Sequence, residues 1–283
     1  MSKTAILTGL TLIAFAANSL LTRMALGEGA IDAASFMTLR LASGAVMLLA
    51  VTAFTQGKPT WRFQGKWMAA LMLFLYAVTF SFSYLQLAAS TGALILFGTV
   101  QVTMILVALK QGEKPHPLEW VGLLLALFGL IYLVSPGLAA PPVMGAALMA
   151  VAGIAWGFYS LLGRGAQNPV AYTTANFVRA VPLAIGVSLA SLPSLTITWT
   201  GVILALLSGA LASGLGYAIW YTALKGLTAT RAATVQLAVP VIASAGGIAF
   251  LQEALTMRLV LASLTILGGI GLAVMGRAGK TSA

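Results

Sequence analysis

Aromatic residues recur in this sequence where planar side chains could grip a planar ligand. Tyr76, Phe80 and Tyr84 are spaced i, i+4, i+8, which puts them down one face of a helix. Trp156 and Tyr159 form a second group, Tyr217, Trp220 and Tyr221 a third, and Phe97 stands near the middle of another apolar run. Such rings stack on planar groups, and their faces also attract organic cations. Amides accompany them. Asn18, Gln101, Asn176 and Gln236 lie inside apolar stretches, where an unpaired amide is costly. Each must face a neighbouring helix or read the ammonium and carboxylate groups of a ligand.

Arg40 and Arg179 are the only basic residues well inside apolar stretches. Each lies close enough to one surface to snorkel, so both are expected to act as anchors, with a gate or a carboxylate contact as the alternative. Arg23 is expected to pair with Glu28 or Asp32 at the surface.

The missing residue types exclude other chemistry. There is no cysteine, so disulfides, thiolate catalysis and cysteine metal sites are ruled out. The single histidine, His116, lies between two prolines in a turn. The acidic residues Glu28, Asp32, Glu113, Glu119 and Glu253 all fall in turns or at the ends of apolar runs. No nucleophile–base pair for an intramembrane enzyme is visible, and no cofactor or metal is expected. A buried carboxylate that could carry a proton or hold a dication is also missing.

The elements that carry these residues are read from composition. Sixty per cent of the residues are hydrophobic and 7% charged, with a mean hydropathy of +1.01, which no soluble domain carries. The apolar runs are long enough to cross a hydrocarbon core of about 30 Å as helices. The fold class is therefore an all-α polytopic membrane protein with ten transmembrane helices. They are expected at roughly 4–24, 33–55, 67–87, 90–109, 117–135, 143–163, 171–190, 197–221, 228–250 and 256–276. No signal peptide is expected, because the first run is too long and lacks a cleavage region.

The net charge of +10 comes from basic residues scattered singly through the turns, which fits membrane orientation and not nucleic-acid binding. With the amino terminus cytoplasmic, Lys3, Lys58, Arg62, Lys66, Lys110, Lys114, Arg164, Lys225, Arg277 and Lys280 fall inside, and only Arg23 and Arg258 outside. Both termini are accordingly expected in the cytoplasm. Trp61, Trp67, Trp120 and Trp199 suit the interfacial belt. Pro182 and Pro240 inside spans permit bends. The glycines at 209, 214 and 216, with 268, 269 and 271, suit close helix contact, and hinging in span 8 is the alternative.

The chain also repeats itself. Residues 88–135 match a stretch about 140 residues later, with Glu113 falling on Glu253 and Gly129 on Gly269. Ser19–Arg23 recurs as Ser160–Arg164, and Phe36–Arg40 as Ala175–Arg179. Two five-helix units are expected, 1–141 and 142–283. An odd number of spans in each inverts the second relative to the first, the arrangement that gives two near-equivalent conformations and alternating access.

The sequence resembles the drug/metabolite transporter superfamily in its EamA-type, ten-span branch. The resemblance runs over nearly the whole chain and is carried by Asn18, by Arg40 in "TLRLASGA", by "LAASTGALILFGTVQVTMILVALKQGEKPHPLEWVGLLLALFGL" and by "TATRAATVQLAVPVIASAGGIAFLQE". The opening "FAANSLLTR" and the aromatic content look most like the YddG-type aromatic amino-acid exporters. In one departure from the family pattern, Val100 stands at the position matching Pro240.

The resemblance implies export of small amphipathic metabolites, most of all aromatic and other neutral amino acids, through a central, ring-lined, uncharged chamber. The residues expected to bind substrate are Asn18, Tyr76, Phe80, Tyr84, Phe97, Gln101, Trp156, Tyr159, Tyr217, Trp220 and Gln236. Arg40, Arg179 and Pro240 are expected as gates or anchors. The alternative is a broad drug or organic-cation exporter. The expected partners are the small-molecule substrate and membrane lipid, not nucleic acid, with the protein a monomer or homodimer.

Overall fold

The computed structural model describes residues 3–56, 64–110, 117–135, 137, 140–163, 166–224, 235–236 and 238–278. Among the described residues the regular structure is helical, apart from a single bridge between Ile31 and Ile197. Besides a single 3-10 turn at Leu192–Ser194, the described residues form ten longer helices: α1 (Lys3–Gly27), α2 (Ala33–Gln56), α3 (Trp67–Ser83), α4 (Ala89–Lys110), α5 (Pro117–Val134), α6 (Val143–Gly163), α7 (Pro169–Ala190), α8 (Trp199–Leu224), α9 (Ala238–Leu251) and α10 (Met257–Ala278). Six of them are long and apolar enough to cross a membrane, and α3, α5, α9 and α10 contribute shorter apolar stretches. The chain is a multi-pass helical membrane protein, as its hydropathy demands.

Local chemistry sets the helix ends. Asn168 accepts a hydrogen bond from Ala171 N ahead of Pro169, Thr198 accepts from Gly201 N, and Thr256 Oγ1 accepts from Leu259 N, so α7, α8 and α10 each start on a capping side chain. Helix α3 stops at Ser83, short of the expected residue 87. The Ser83 carbonyl takes bonds from Gln86 N and Leu87 N, and its hydroxyl donates to Gly145 O at 2.7 Å, which turns the chain toward α6. Hydroxyls inside the spans mostly donate back one turn, as Thr22 does to Asn18 O and Thr52 to Leu48 O. Pro182 lies on an exposed face of α7, which runs unbroken past it. Pro240 is the third residue of α9.

Helix α8 contains an irregularity. Between α-helical Trp199–Leu206 and Gly216–Leu224, residues Leu207–Leu215 are π-helical. The backbone here presses on α2. A Cβ built on Gly209 would lie 2.2 Å from Arg40 O, so only glycine allows this approach. The expected glycine contact in span 8 is therefore real and coincides with a wider helical register.

Packing partners are selective. Helix α2 lies on α7, α3 on α6 and α7, and α8 on α1 and α2; α4 packs on α6 and α9, and α1 on α9. Helices α5 and α10 pack mainly on each other. There Gly129 abuts Ile266, and Gly269 abuts Gly122 and Ala126, so neither tolerates a Cβ without movement. Outward residues are apolar, among them Ile13, Phe54, Leu124, Ile131 and Leu264. Trp67, Trp120 and Trp199 are exposed at helix ends, while Trp61, with Lys58, Arg62, Glu113, Lys114, His116, Arg164, Lys225 and Lys280, lies outside the described residues.

For orientation, the end of the bundle formed by the C-terminus of α1 and the N-terminus of α2 is called the upper end. At this end Asp32 accepts from Ser35 N, capping α2, and from Thr196 N in the α7–α8 turn. Arg23 does not use these carboxylates: its Nη1 donates to Tyr84 O at 3.0 Å, tying α1 to the end of α3. Glu253 accepts from Ala89 N, Ser90 N and Ser90 Oγ, so its carboxylate caps the N-terminus of α4.

Candidate functional site: rings, amides and Arg40 at the centre of the bundle

Four helices converge at mid-depth and each contributes an aromatic ring. Trp156 on α6 is the hub. Its ring centroid lies 4.7 Å from Tyr217 on α8, 5.0 Å from Tyr76 on α3 and 5.9 Å from Phe15 on α1. The i, i+4 spacing on α3 sets Tyr76 against Phe80 at 5.1 Å with their planes tilted by 46°, and Phe80 meets Tyr84 edge-on at 4.8 Å. Phe15 extends the cluster to Phe97 at 6.4 Å and to Trp220 at 5.7 Å. All these rings are buried.

Amide chemistry threads the same place. Asn18 Nδ2 donates to Tyr76 OH at 3.1 Å, and Asn18 Oδ1 accepts from Ser208 Oγ at 2.6 Å. One amide thus joins α1 to α3 and to the π-helical part of α8. Asn18 is satisfied by protein, which is why a polar group survives at this depth.

Arg40 departs from expectation. It does not snorkel: it is only 1% exposed, on the eighth residue of α2 and turned into the bundle. Its Nε donates to Ser213 Oγ at 3.1 Å, and its Nη2 to Tyr76 OH at 3.0 Å and Tyr217 OH at 3.3 Å. The guanidinium carbon lies 4.9 Å from the Phe80 centroid and 5.1 Å from that of Tyr76. Hydroxyls and ring faces, not water at a boundary, solvate this cation. Arg179 behaves differently. It is half-buried near the lower end, donates to Gln64 O at 2.9 Å, and packs 5.6 Å from the Trp67 ring, as an anchor would.

The centre is closed. A void of about 10 Å³ remains, lined by Phe15, Asn18, Tyr76, Phe80, Leu96, Phe97, Trp156 and Tyr217. That is room for roughly one water molecule. The open chamber expected from the sequence is instead filled by its own rings, and the positive charge of Arg40 adjoins it, so the site is not uncharged. Five expected residues, Tyr84, Tyr159, Trp220, Gln101 and Gln236, are buried but do not line the void. Tyr159 lies beside Trp156 at 5.5 Å and Tyr221 at 6.4 Å. Asn176 is further away still, accepting from Lys66 N near the lower end.

Sequence reasoning missed Phe15, Ser208 and Ser213. Phe15 is three residues before Asn18 and shares its helix face, a spacing that could have revealed it. The two serines are five apart, a spacing that faces one way only in a π-helical register.

The centre thus joins buried aromatic rings and an amide from four helices of a multi-pass membrane protein, and among the described residues it leaves room for little more than one water molecule. Residues 143–275 match the model of the EamA-like transporter family. An uncharacterized protein of Pseudomonas aeruginosa is 51% identical over 280 residues, covering 99% of this chain and 97% of that protein. An uncharacterized transporter of Archaeoglobus fulgidus is 27% identical over 256 residues, covering 84% of this chain and 86% of that one. A second uncharacterized transporter of the same archaeon is 31% identical over 180 residues, 62% and 63% of the two chains. A solved crystal structure shares the fold with a TM-score of 0.67 at 18% identity, covering 97% of this chain and 99% of that one.

Proposed function

We propose that this transporter exports small amphipathic metabolites, chiefly aromatic and other neutral amino acids, by alternating access through the ring-lined centre. The observation that carries the reading is the cluster of Trp156, Tyr76, Tyr217 and Phe15 around Asn18, drawn from α1, α3, α6 and α8. Rings at that depth offer a planar substrate the same contacts they now make with one another.

The halves 1–141 and 142–283 are read as an inverted pair. Packing supports this: exchanging α1–α5 for α6–α10 turns the α3–α6 contact into α8–α1, α3–α7 into α8–α2 and α4–α6 into α9–α1. It leaves α2–α7, α4–α9 and α5–α10 unchanged, and all of these contacts are present. The membrane is read as the bacterial inner membrane with both termini cytoplasmic, on the asymmetry of basic residues between the two ends.

The test is efflux of labelled L-tryptophan from liposomes holding the purified protein, with and without a pH gradient. Wild-type protein should release tryptophan faster than empty liposomes. Trp156→Ala, with an unchanged elution profile, should lower that flux at least about tenfold, since removing a central aromatic anchor typically costs about 2 kcal/mol or more of binding. Undiminished flux in the variant would remove the central cluster from the transport path.

A further inference from the structure

We propose that Arg40 is an anion subsite that receives the carboxylate of the transported molecule, so that the substrates are carboxylate-bearing amphiphiles and not amines lacking that group. The inference rests on the reading of the ring-lined centre as the substrate site.

Arg40 carries a full positive charge in the middle of the protein. Every partner it has is neutral: Ser213 Oγ, Tyr76 OH and Tyr217 OH, with the faces of Tyr76 and Phe80. No carboxylate among the described residues bonds to it. Asp32 is taken up by backbone amides at the upper end, as is Glu253 with its cap on α4. The Nη1 group of Arg40 is buried and has no hydrogen-bond partner among the described residues. A buried cation with neutral partners and a free N–H edge is costly for the fold to retain. An anion that comes and goes with the transport cycle supplies the missing half.

The geometry fits such an anion. Tyr76, Phe80 and Tyr217 line the central void on one side and touch Arg40 on the other, so the guanidinium is one ring away from the site. A carboxylate matches the planar Nη1–Nη2 edge with two parallel bonds. Nη1 is already free. Nη2 is held by two phenol hydroxyls that lie 3.4 Å from each other. These hydroxyls can rotate and donate to the incoming carboxylate. With the carboxylate there, a planar side chain falls among Trp156, Phe80 and Phe97. An organic cation gains none of this and meets a like charge behind the same ring faces.

The experiment uses proteoliposomes loaded with labelled L-tryptophan and three competitors: unlabelled tryptophan, indole-3-propionate (carboxylate, no amine) and tryptamine (amine, no carboxylate). Tryptophan and indole-3-propionate should compete, and tryptamine should be at least about tenfold weaker, the difference expected for loss of a charge-assisted bidentate contact. Arg40→Lys and Arg40→Gln should raise the concentration needed for half-maximal tryptophan flux by a similar factor. Tryptamine efflux should be unchanged or rise, a split that a merely misfolded variant would not give. Equal competition by tryptamine and tryptophan in wild-type protein overturns the Arg40 assignment while leaving the aromatic site in place. Absence of any tryptophan or tryptamine flux in wild-type protein overturns the site itself, and the subsite with it.

Discussion

Replacing Gly209 by alanine tests the idea that α2 and the π-helical part of α8 are held in contact so that Arg40 can be gripped. A Cβ there would lie 2.0 Å from Ser43 Oγ and 2.2 Å from Arg40 O. The serine hydroxyl can rotate away, but the backbone carbonyl cannot. Restoring an ordinary contact near 3.5 Å requires the two helices to part by roughly 1.3 Å. Such a shift lengthens the bonds from Arg40 to Ser213 and Tyr217, now 3.1 and 3.3 Å, beyond hydrogen-bonding reach. Overpacking of this kind costs about 1–3 kcal/mol, and each lost bond to a charged group about 1.5–3 kcal/mol.

The expected result is a variant at least about 4 kcal/mol less stable than wild type, from the overpacking and the two lost bonds together. Gly268→Ala is the control, because nothing lies within 4 Å of a Cβ built there. A helical glycine replaced by alanine without a clash should be neutral or stabilising, by up to about 1 kcal/mol. Unfolding of both proteins in the same detergent, followed by tryptophan fluorescence, gives the comparison. If Gly209→Ala proves as stable as Gly268→Ala, the close contact between α2 and α8 is not what the fold depends on.

Two further perturbations read single polar contacts. Asn18→Leu leaves Ser208 Oγ buried without its partner and should destabilise by about 1–3 kcal/mol. Adding Ser208→Ala should recover part of that loss, and a double-mutant cycle without coupling would sever the Asn18–Ser208 link. Glu253→Gln removes the charge from the cap on α4 and should cost about 1 kcal/mol at low salt. An unchanged unfolding midpoint would mean that the carboxylate adds nothing there.

Periodicity and hydropathy made the helices readable from the sequence because lipid leaves the backbone no other solution. The α3 stripe was readable for the same reason: i, i+4 spacing fixes one face whatever lies opposite. What lies opposite was not readable. Arg40 looked like an anchor because a one-dimensional count gives its depth and not its direction, and only the packing of α8 on α2 turns it inward. The five-residue offset of Ser208 and Ser213 reads as two unrelated faces until the helix adopts the π register. Gln101 and Gln236 carry the right chemistry, but nothing in their spacing separates cavity-lining amides from amides that bridge helices.

The closed centre constrains how a transport cycle through it could run. Both ends are tied: Arg23 to Tyr84 O and Asp32 to Thr196 N above, Arg179 to Gln64 O and Lys66 N to Asn176 Oδ1 below. Each of these ties can be exchanged for water at a net cost of about 0.5–3 kcal/mol, the upper part of that range where Arg23, Asp32 or Arg179 is the partner. Parting the rings is different, because water replaces neither their packing nor the roughly 0.5–1.5 kcal/mol of each aromatic pair. Trp156 alone makes four such pairs. The bundle therefore loses most by opening at its centre, a loss that a molecule bearing its own ring would offset on entering. Under the proposed function, selectivity for planar substrates would follow from the cost of opening as much as from the strength of binding.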